Sequence, residues 1–410
     1  MKRQPAIRFV MFTALLDVVG IGLIIPVMPG IVGQFTHDPS ETAYWYGALM
    51  MTFGMAQFLM SPLLGALSDR YGRRPLLLLG ISGLGVTFAL TALANSLWVV
   101  VAVRLIGGGL SANFAVAQAY VADISTPEDR TASLGKLGAM FGIGFVLGPA
   151  LGGQLGHYDI RLPLFVAAGL CALNALYGLL VLPESLPADR RAPVTAQRVN
   201  PFAALAGLAS LRGVGSLVVV FAAANMAQFT LQSSWVLFTG MRFGWGPRES
   251  GYSLFAVGLV ALVVQGGLLR PLLKAMGERT LVLAGLASGA AAYALYGLVP
   301  RGWMIFLVIP ANFLAFAAGV ALQGIVSRAA GANEQGRTMA SLGALSSLIA
   351  VISPFTGTFL LGRVAGYAPD GWQLGAPFYV CSLLTLVALG VARLHFGRAN
   401  PQPAPAQAAP

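Results

Sequence analysis

Twelve stretches of this chain each approach the ~20 consecutive apolar residues that a helix needs to cross a ~30 Å hydrocarbon layer. No other feature limits its fold so strongly. Breaking the hydropathy at charges, Pro and Gly places the spans near 8–32, 44–66, 75–95, 97–119, 132–156, 162–183, 212–238, 249–270, 279–299, 303–324, 338–362 and 374–396. One such stretch would suit a buried core helix; a dozen would not. Composition agrees, with 57% of the 410 residues hydrophobic and 10% charged, against roughly a quarter charged in soluble domains. The expected fold class is an all-α membrane protein of twelve transmembrane helices. The first 32 residues are basic and then apolar, like a signal peptide. Their apolar run is too long and lacks a small-residue cleavage site, so they read as a retained first helix.

The net charge of +11 finds its explanation in topology. If both termini are cytoplasmic, the loops, tails and span ends on that side hold 19 of the 25 Lys and Arg, while Arg161, Arg242, Arg248, Arg301 and Arg363 fall on the other face. This is the positive-inside asymmetry of a multi-pass protein with an even number of spans. No basic run interleaved with aromatics suggests a nucleic-acid groove, so no nucleic-acid partner is expected. The two cysteines, Cys171 and Cys381, lie inside apolar spans and form neither a CxxC motif nor a disulfide framework.

The longest polar connection, 184–211, carries Pro187, Pro193 and Pro201 with Arg190 and Arg191, and divides the chain into blocks of six spans. The expected organisation is a first bundle over 1–183, a cytoplasmic linker over 184–211, a second bundle over 212–398 and a disordered Pro/Ala-rich tail over 399–410. At a shift of 205 residues, Gly72 falls on Gly277, Arg74 on Arg279, Trp98 on Trp303, Gln118 on Gln323 and Pro149 on Pro354. Such coincidences at one shift indicate a duplicated unit.

Ionisable groups are scarce inside the spans. Of the 14 acidic residues only Asp17 sits well within one, and Arg104 in span four is the one intramembrane cation. Charge at that depth is costly and by default functional, which makes Asp17 the first candidate for proton coupling, with Arg104 in the same half. The competing reading is a carboxylate capped by backbone donors near Gly20 and Gly22. Polar or aromatic residues able to line a cavity are Asn113, Phe114 and Gln118 in span four, Asn225, Gln228, Phe229, Gln232 and Trp235 in span seven, Gln265 in span eight, and Asn312 and Gln323 in span ten. Taken singly, each amide is better read as binding a neighbouring helix than a ligand.

Two motifs carry a family resemblance. Between spans two and three, Gly65-Ala-Leu-Ser-Asp69-Arg70-Tyr-Gly72-Arg73-Arg74-Pro75 resembles the cytoplasmic loop signature of the major facilitator superfamily. Gly65 and Gly72 permit close approach and a tight turn, and Asp69 can pair with Arg73. The resemblance implies a charge relay of Asp69, Arg70 and Arg73 that helps hold the outward-open state. In span five, Gly138, Gly142, Gly144, Gly148, Pro149, Gly152 and Gly153 are similar to the antiporter signature of drug exporters in that superfamily. Small residues at this spacing let backbones pack closely, and Pro149 bends the helix.

The opening Leu16-Asp17-Val-Val-Gly20-Ile-Gly22 through Pro26 and Pro29 resembles the first helix of proton-coupled tetracycline exporters, as do Trp235 to Trp245, Gln57, Ala122-Asp123-Ile and Leu182-Pro-Glu-Ser185. The resemblance implies the major facilitator fold, two pseudo-symmetric six-helix bundles about a central solute site. It assigns Asp17, Arg104 and, at the membrane edge, Asp123 to coupling. It departs where those exporters carry ionisable groups in spans three, eight and nine, since Thr87, Ala261 and Gly289 stand there. The expected function is a proton-coupled exporter of a drug-like solute, a tetracycline-type antibiotic first, in a bacterial inner membrane and working as a monomer. Another amphipathic drug, a metabolite, or proton-independent facilitation are the alternatives. No cofactor or resident metal is expected beyond the coupling proton, though the solute could carry a divalent metal. No GxxxxGK[ST] motif suggests an ATP-driven pump, and His37, His157 and His395 are too scattered for metal or triad chemistry, so no enzyme is expected.

Overall fold

A computed structural model describes residues 3–126, 128–195, 199–202, 215–329 and 335–398. The expected disordered tail, 399–410, and the end of the linker, 203–211, lie outside the described residues. Helices account for all twelve apolar segments, and the described residues contain no strand. Ten helices are long and apolar enough to cross a membrane singly, and a bent pair adds an eleventh. The first segment has a shorter apolar stretch, Phe9–Ile24.

Three expected spans are interrupted rather than continuous. The first runs as α1 (Arg3–Ile24), turns through Ile25–Val27, and resumes as α2 (Met28–Gly33). Pro26 in that turn offers no N–H to continue the ladder. After α3 (Pro39–Tyr71) and α4 (Arg73–Ala92), span four splits into α5 (Leu97–Leu110) and α6 (Asn113–Ile124). The run Gly107-Gly108-Gly109 weakens the helix ahead of the break. Gln57 of α3 donates its Nε2 to the Ser111 carbonyl oxygen at 2.9 Å, which satisfies an acceptor that the interruption frees. Helices α7 (Arg130–Tyr158) and α8 (Leu162–Val181) complete the first half.

The second half opens with α9 (Gly215–Phe243) and α10 (Pro247–Val263), which passes through a π-turn, Val264–Leu268, into α11 (Leu269–Met276). Then come α12 (Glu278–Leu298), the pair α13 (Ile305–Ala311) and α14 (Phe313–Ala329) bent by 44°, α15 (Gln335–Val364) and α16 (Ala376–Arg398). The 205-residue repeat is visible in the backbone. Gly72 and Gly277 both have positive φ, 111° and 72°, and their N–H groups close the preceding helices on the carbonyls of Ser68 and Leu273, themselves 205 apart. Only glycine adopts this conformation without strain. Pro149 and Pro354 lie inside the equivalent helices α7 and α15.

The halves meet along two seams, α7 on α10 and α3 on α15. On α3, Gly47 abuts Thr358 and Gly54 abuts Val351, but Gly65, on the same helical face, has no atom of the described residues within 4 Å of where a Cβ would stand. On α7, Gly153 touches Gly251 and Val146 touches Gly258, whereas Gly138 and Gly142 again meet no atom of the described residues within 4 Å. The core divides the same way. One large cluster unites Leu23, Met28, Tyr46, Trp235, Phe238, Leu361 and Phe378 from both halves at one end. Toward the Arg-rich loops it separates into a cluster about Tyr120 and Leu137 and another about Phe221 and Leu281. The described residues close the molecule at one end and leave it cleft at the Arg-rich end.

Candidate functional site

Seven of the expected solute contacts converge. Asn225, Gln228, Gln232 and Trp235 of α9, Gln265 of the π-turn, Asn312 at the α13–α14 bend and Gln323 of α14 line one cavity of about 330 Å³. Their helices place them there by period: Asn225, Gln228, Gln232 and Trp235 recur at three and four residues and share one face. Tyr293, Tyr296, Thr385 and, from the first half, Phe145 complete the wall; these the sequence reading missed. The available signal was a phenol in mid-hydrocarbon, spaced from Gly285 and Gly289 so as to share their face of α12. Gln228 accepts from the Tyr293 hydroxyl at 3.0 Å, Asn312 accepts from Ser288 Oγ at 3.0 Å, and the indole of Trp235 donates to Ser253 Oγ at 2.8 Å. Of the three departures, Gly289 lies on the cavity wall, and Thr87 is buried with its hydroxyl donated to the Leu84 carbonyl.

The remaining candidates do not line it. Phe114 packs its ring 4.8 Å from Phe141, and Gln118 and Phe229 lie outside the lining. Asn113, expected as a solute contact, instead donates Nδ2 to Asp17 Oδ1 at 3.0 Å. Both are buried, Asp17 at 7% exposure. Asn113 opens α6 at the break of span four, and its own oxygen presses on Gly80, where a Cβ would collide with it. The interruption thus aims an amide at the one intramembrane carboxylate. Arg104 does not join them. Its Nη2 reaches Met28 Sδ at 2.9 Å, its guanidinium lies 5.8 Å from the Phe53 ring centre, and its Nε is buried without a partner.

The span-five motif holds the helix that carries Asp17. Gly144 faces Val18, Gly148 meets Gly22 backbone to backbone, and Gly152 meets the Leu23 carbonyl. Directly beyond, the Pro149 carbonyl and Gly153 pack on Gly251 of α10. One glycine-lined helix therefore touches both the Asp17 helix and the helix that leads to Gln265.

At the Arg-rich end the loop signature forms a closed charge cluster. Arg73 binds Asp69 at 2.5 Å, Asp123 at 3.0 Å and Ser68 Oγ at 2.7 Å. Asp123, a coupling candidate at the membrane edge, lies in this cluster: it closes α6 at the bundle end and also accepts from Ser185 Oγ. Glu184, read from sequence only as part of a loop likeness, is central. It accepts from the backbone N–H of Arg73, Arg74, Ser185 and Leu186 at 2.8–3.2 Å. A carboxylate there satisfies the free donors of the α4 N-terminus and its dipole. Arg74 donates to the Leu179 carbonyl, Arg70 lies over the Tyr71 ring, and Ala192 N–H donates to the Asp69 carbonyl, tying the linker to the loop. Arg73→Ala is expected to cost about 2 kcal/mol, toward the low end for breaking a buried charge network because Asp69 and Asp123 remain 34% and 24% exposed. Arg73→Lys should recover only part of it, since an ammonium cannot fork between two carboxylates. Thermal unfolding in detergent measures both, and an unshifted Arg73→Ala midpoint would contradict the assignment.

Enzyme-like groupings are sparse. Ser216 Oγ and His395 Nδ1 lie 2.6 Å apart at helix ends, with no Asp or Glu bonded to the histidine among the described residues. Among those residues no three His, Cys, Asp or Glu side chains gather as metal ligands.

Known proteins resemble this chain over almost its whole length. The sequence profile of the Major Facilitator Superfamily matches residues 10–354. The chain is 36% identical to the class C tetracycline resistance protein of Escherichia coli, over 94% of this chain and 97% of that one, and 35% identical to the class D protein of Salmonella ordonez, over 92% and 94%. Among solved structures, a bacterial homolog of the human lysosomal transporter Spinster superposes with a TM-score of 0.73 at 16% identity, covering 98% of this chain and 99% of that one. A carrier fold closed at one end, an intramembrane carboxylate on a glycine-packed helix and these relatives converge: the chain belongs to the major facilitator superfamily, in the branch of the tetracycline resistance proteins.

Proposed function

We propose that the protein is a proton-coupled antiporter that exports a small drug-like solute, with a tetracycline-type antibiotic the leading candidate, across a bacterial inner membrane by alternating access. The Arg-rich end and both termini face the cytoplasm in this reading, as the positive-inside rule requires. The observation that carries it is the cavity shared by Asn225, Gln228, Gln232, Trp235, Gln265, Asn312 and Gln323, in a molecule cleft toward that end. Solute enters from the cytoplasm, the halves rock about the site, and Asp17 takes up a proton from outside and releases it inside. The chain itself suffices as carrier, a monomer without cofactor.

Purified protein in liposomes, under an imposed pH gradient and screened against tetracyclines and unrelated drugs, tests this directly. Tetracycline should accumulate against its own gradient on the acidic side. Equilibration without accumulation would make the protein a facilitator, and accumulation of a different amphipathic solute alone would replace the substrate.

A further inference from the structure

The cavity is polar without being charged, and its chemistry limits what it can hold. Among the described residues no Asp, Glu, Lys, Arg or His lines it; its polar groups are the carboxamides of Asn225, Gln228, Gln232, Gln265, Asn312 and Gln323 together with tyrosine and threonine hydroxyls. Gln228 and Asn312 are partly engaged by Tyr293 and Ser288, and Asn225 donates to the Phe221 carbonyl. The side chains of Gln232, Gln265 and Gln323 make no hydrogen bond to the described residues and are exposed to the cavity. Each of these three offers donors and an acceptor to a solute. Gln265 is presented by the π-turn, a device common at functional positions in helices.

The nearest intramembrane charges do not change the balance. Asp17 is bonded to Asn113 outside the cavity, and Arg104 has no carboxylate partner among the described residues. A cation brought into this space would find no counter-ion among the described residues that line it. Unpaired charge in low dielectric is costly, whereas neutral keto, enol, hydroxyl and amide groups are matched by carboxamides and aromatic walls.

We propose that the solute is carried without net charge and without a bound metal ion, so that exchange for a single proton on Asp17 moves one positive charge per cycle. The proposal rests on the antiporter reading above. A metal-complexed monocation exchanged for one proton would instead move no net charge.

The test uses the full chain in liposomes loaded with tetracycline, at equal internal and external pH chosen so that the drug carries no net charge, with a potassium diffusion potential set by valinomycin. An inside-negative potential should drive protons in and drug out, whichever way the protein is inserted, and inside-positive potential should slow release. Each ~59 mV supports about a tenfold change in the limiting concentration ratio for one charge. Chelation of divalent ions with EDTA should leave the rate unchanged. Release that ignores potential and requires Mg²⁺ overturns the inference while leaving the antiporter intact. Absence of any pH-driven transport overturns the antiporter reading and this inference with it.

A charge-adding variant gives a second, independent readout. A Cβ at Gly289 would make only ordinary contacts, 3.5 Å to Ala315 and 3.7 Å to Thr385, so Gly289→Asp has room on the wall. It should confer stimulation by Mg²⁺ and weaken the response to potential. Gln265→Glu places the same charge without adding bulk and should do likewise if Gly289→Asp folds poorly. Indifference of both folded variants to Mg²⁺ would remove cavity charge as the determinant.

Discussion

Asp17→Asn is expected to abolish accumulation driven by a pH gradient while leaving a folded, inserted protein. With one proton exchanged per solute, each pH unit supports about a tenfold concentration ratio, equivalent to about 1.4 kcal/mol; in the variant the ratio should fall to one. Folding should survive because the substitution is isosteric and the introduced amide oxygen can still accept from Asn113 Nδ2, as the carboxylate does at 3.0 Å. It removes the titrating proton and also the cost of a charge that is only 7% exposed. Solute–solute exchange without a gradient separates coupling from binding and should persist. Full pH-dependent accumulation by the variant would move the coupling site elsewhere, and loss of exchange as well would make Asp17 a structural or solute-binding group.

The second large effect is expected from Gly148→Val. A Cβ at 148 would stand 2.7 Å from the Gly22 Cα and 3.0 Å from the Val19 carbonyl oxygen, and backbone cannot rotate away as a side chain can. Helices α1 and α7 must separate. Overpacking of this kind costs about 1–3 kcal/mol even where side chains absorb it, so the upper part of that range or beyond is expected here. A thermal midpoint in detergent well below the parent's, with lost transport, is the predicted outcome. Gly138→Val is the matched control, since nothing lies within 4 Å of its Cβ in this state. It should fold normally and impair only the conformation that closes the Arg-rich end. Equal destabilisation by both changes would mean that small size in this helix serves propensity rather than the α1–α7 contact.

The two effects are connected. Gly144, Gly148 and Gly152 grip the helix of Asp17 on one side, while the Pro149 carbonyl and Gly153 rest on α10 on the other. A shift of the Asp17 helix on protonation would therefore be felt at the seam between the halves, and along α10 toward the π-turn that bears Gln265.

Much of the site was legible because hydrocarbon penalises polar groups. Asp17 and the carboxamides Asn225, Gln228, Gln232, Gln265, Asn312 and Gln323 stand out against apolar neighbours, and a membrane interior rarely keeps such groups without a use. Asn113 stood out equally, but its pairing with Asp17 did not, because a single sequence does not say which polar group in span four faces span one. The contacts of Asp123 and Glu184 were obscured for the opposite reason. Loops abound in acidic residues, and only the fold brings these two onto Arg73 and the α4 N-terminus. Tyr293 and Tyr296 were overlooked because a tyrosine in a span is commonly an interfacial anchor.

Span length, charge asymmetry and the 205-residue repeat determine from sequence alone that the chain is a duplicated, multi-pass helical protein. Each follows from local physics: the thickness of the bilayer, the sidedness of Lys and Arg, and the backbone needs of Gly72 and Gly277. The Asp17–Asn113 bond, the closing of Asp123 and Glu184 on the Arg73 loop and the cleft between the described residues at the Arg-rich end were decided only by tertiary structure. Their energies reside in contacts between segments tens to hundreds of residues apart. Lipid tails are as apolar as leucine, so hydropathy says which segments enter the membrane but not which faces meet; close backbone packing and hydrogen bonds between helices settle that.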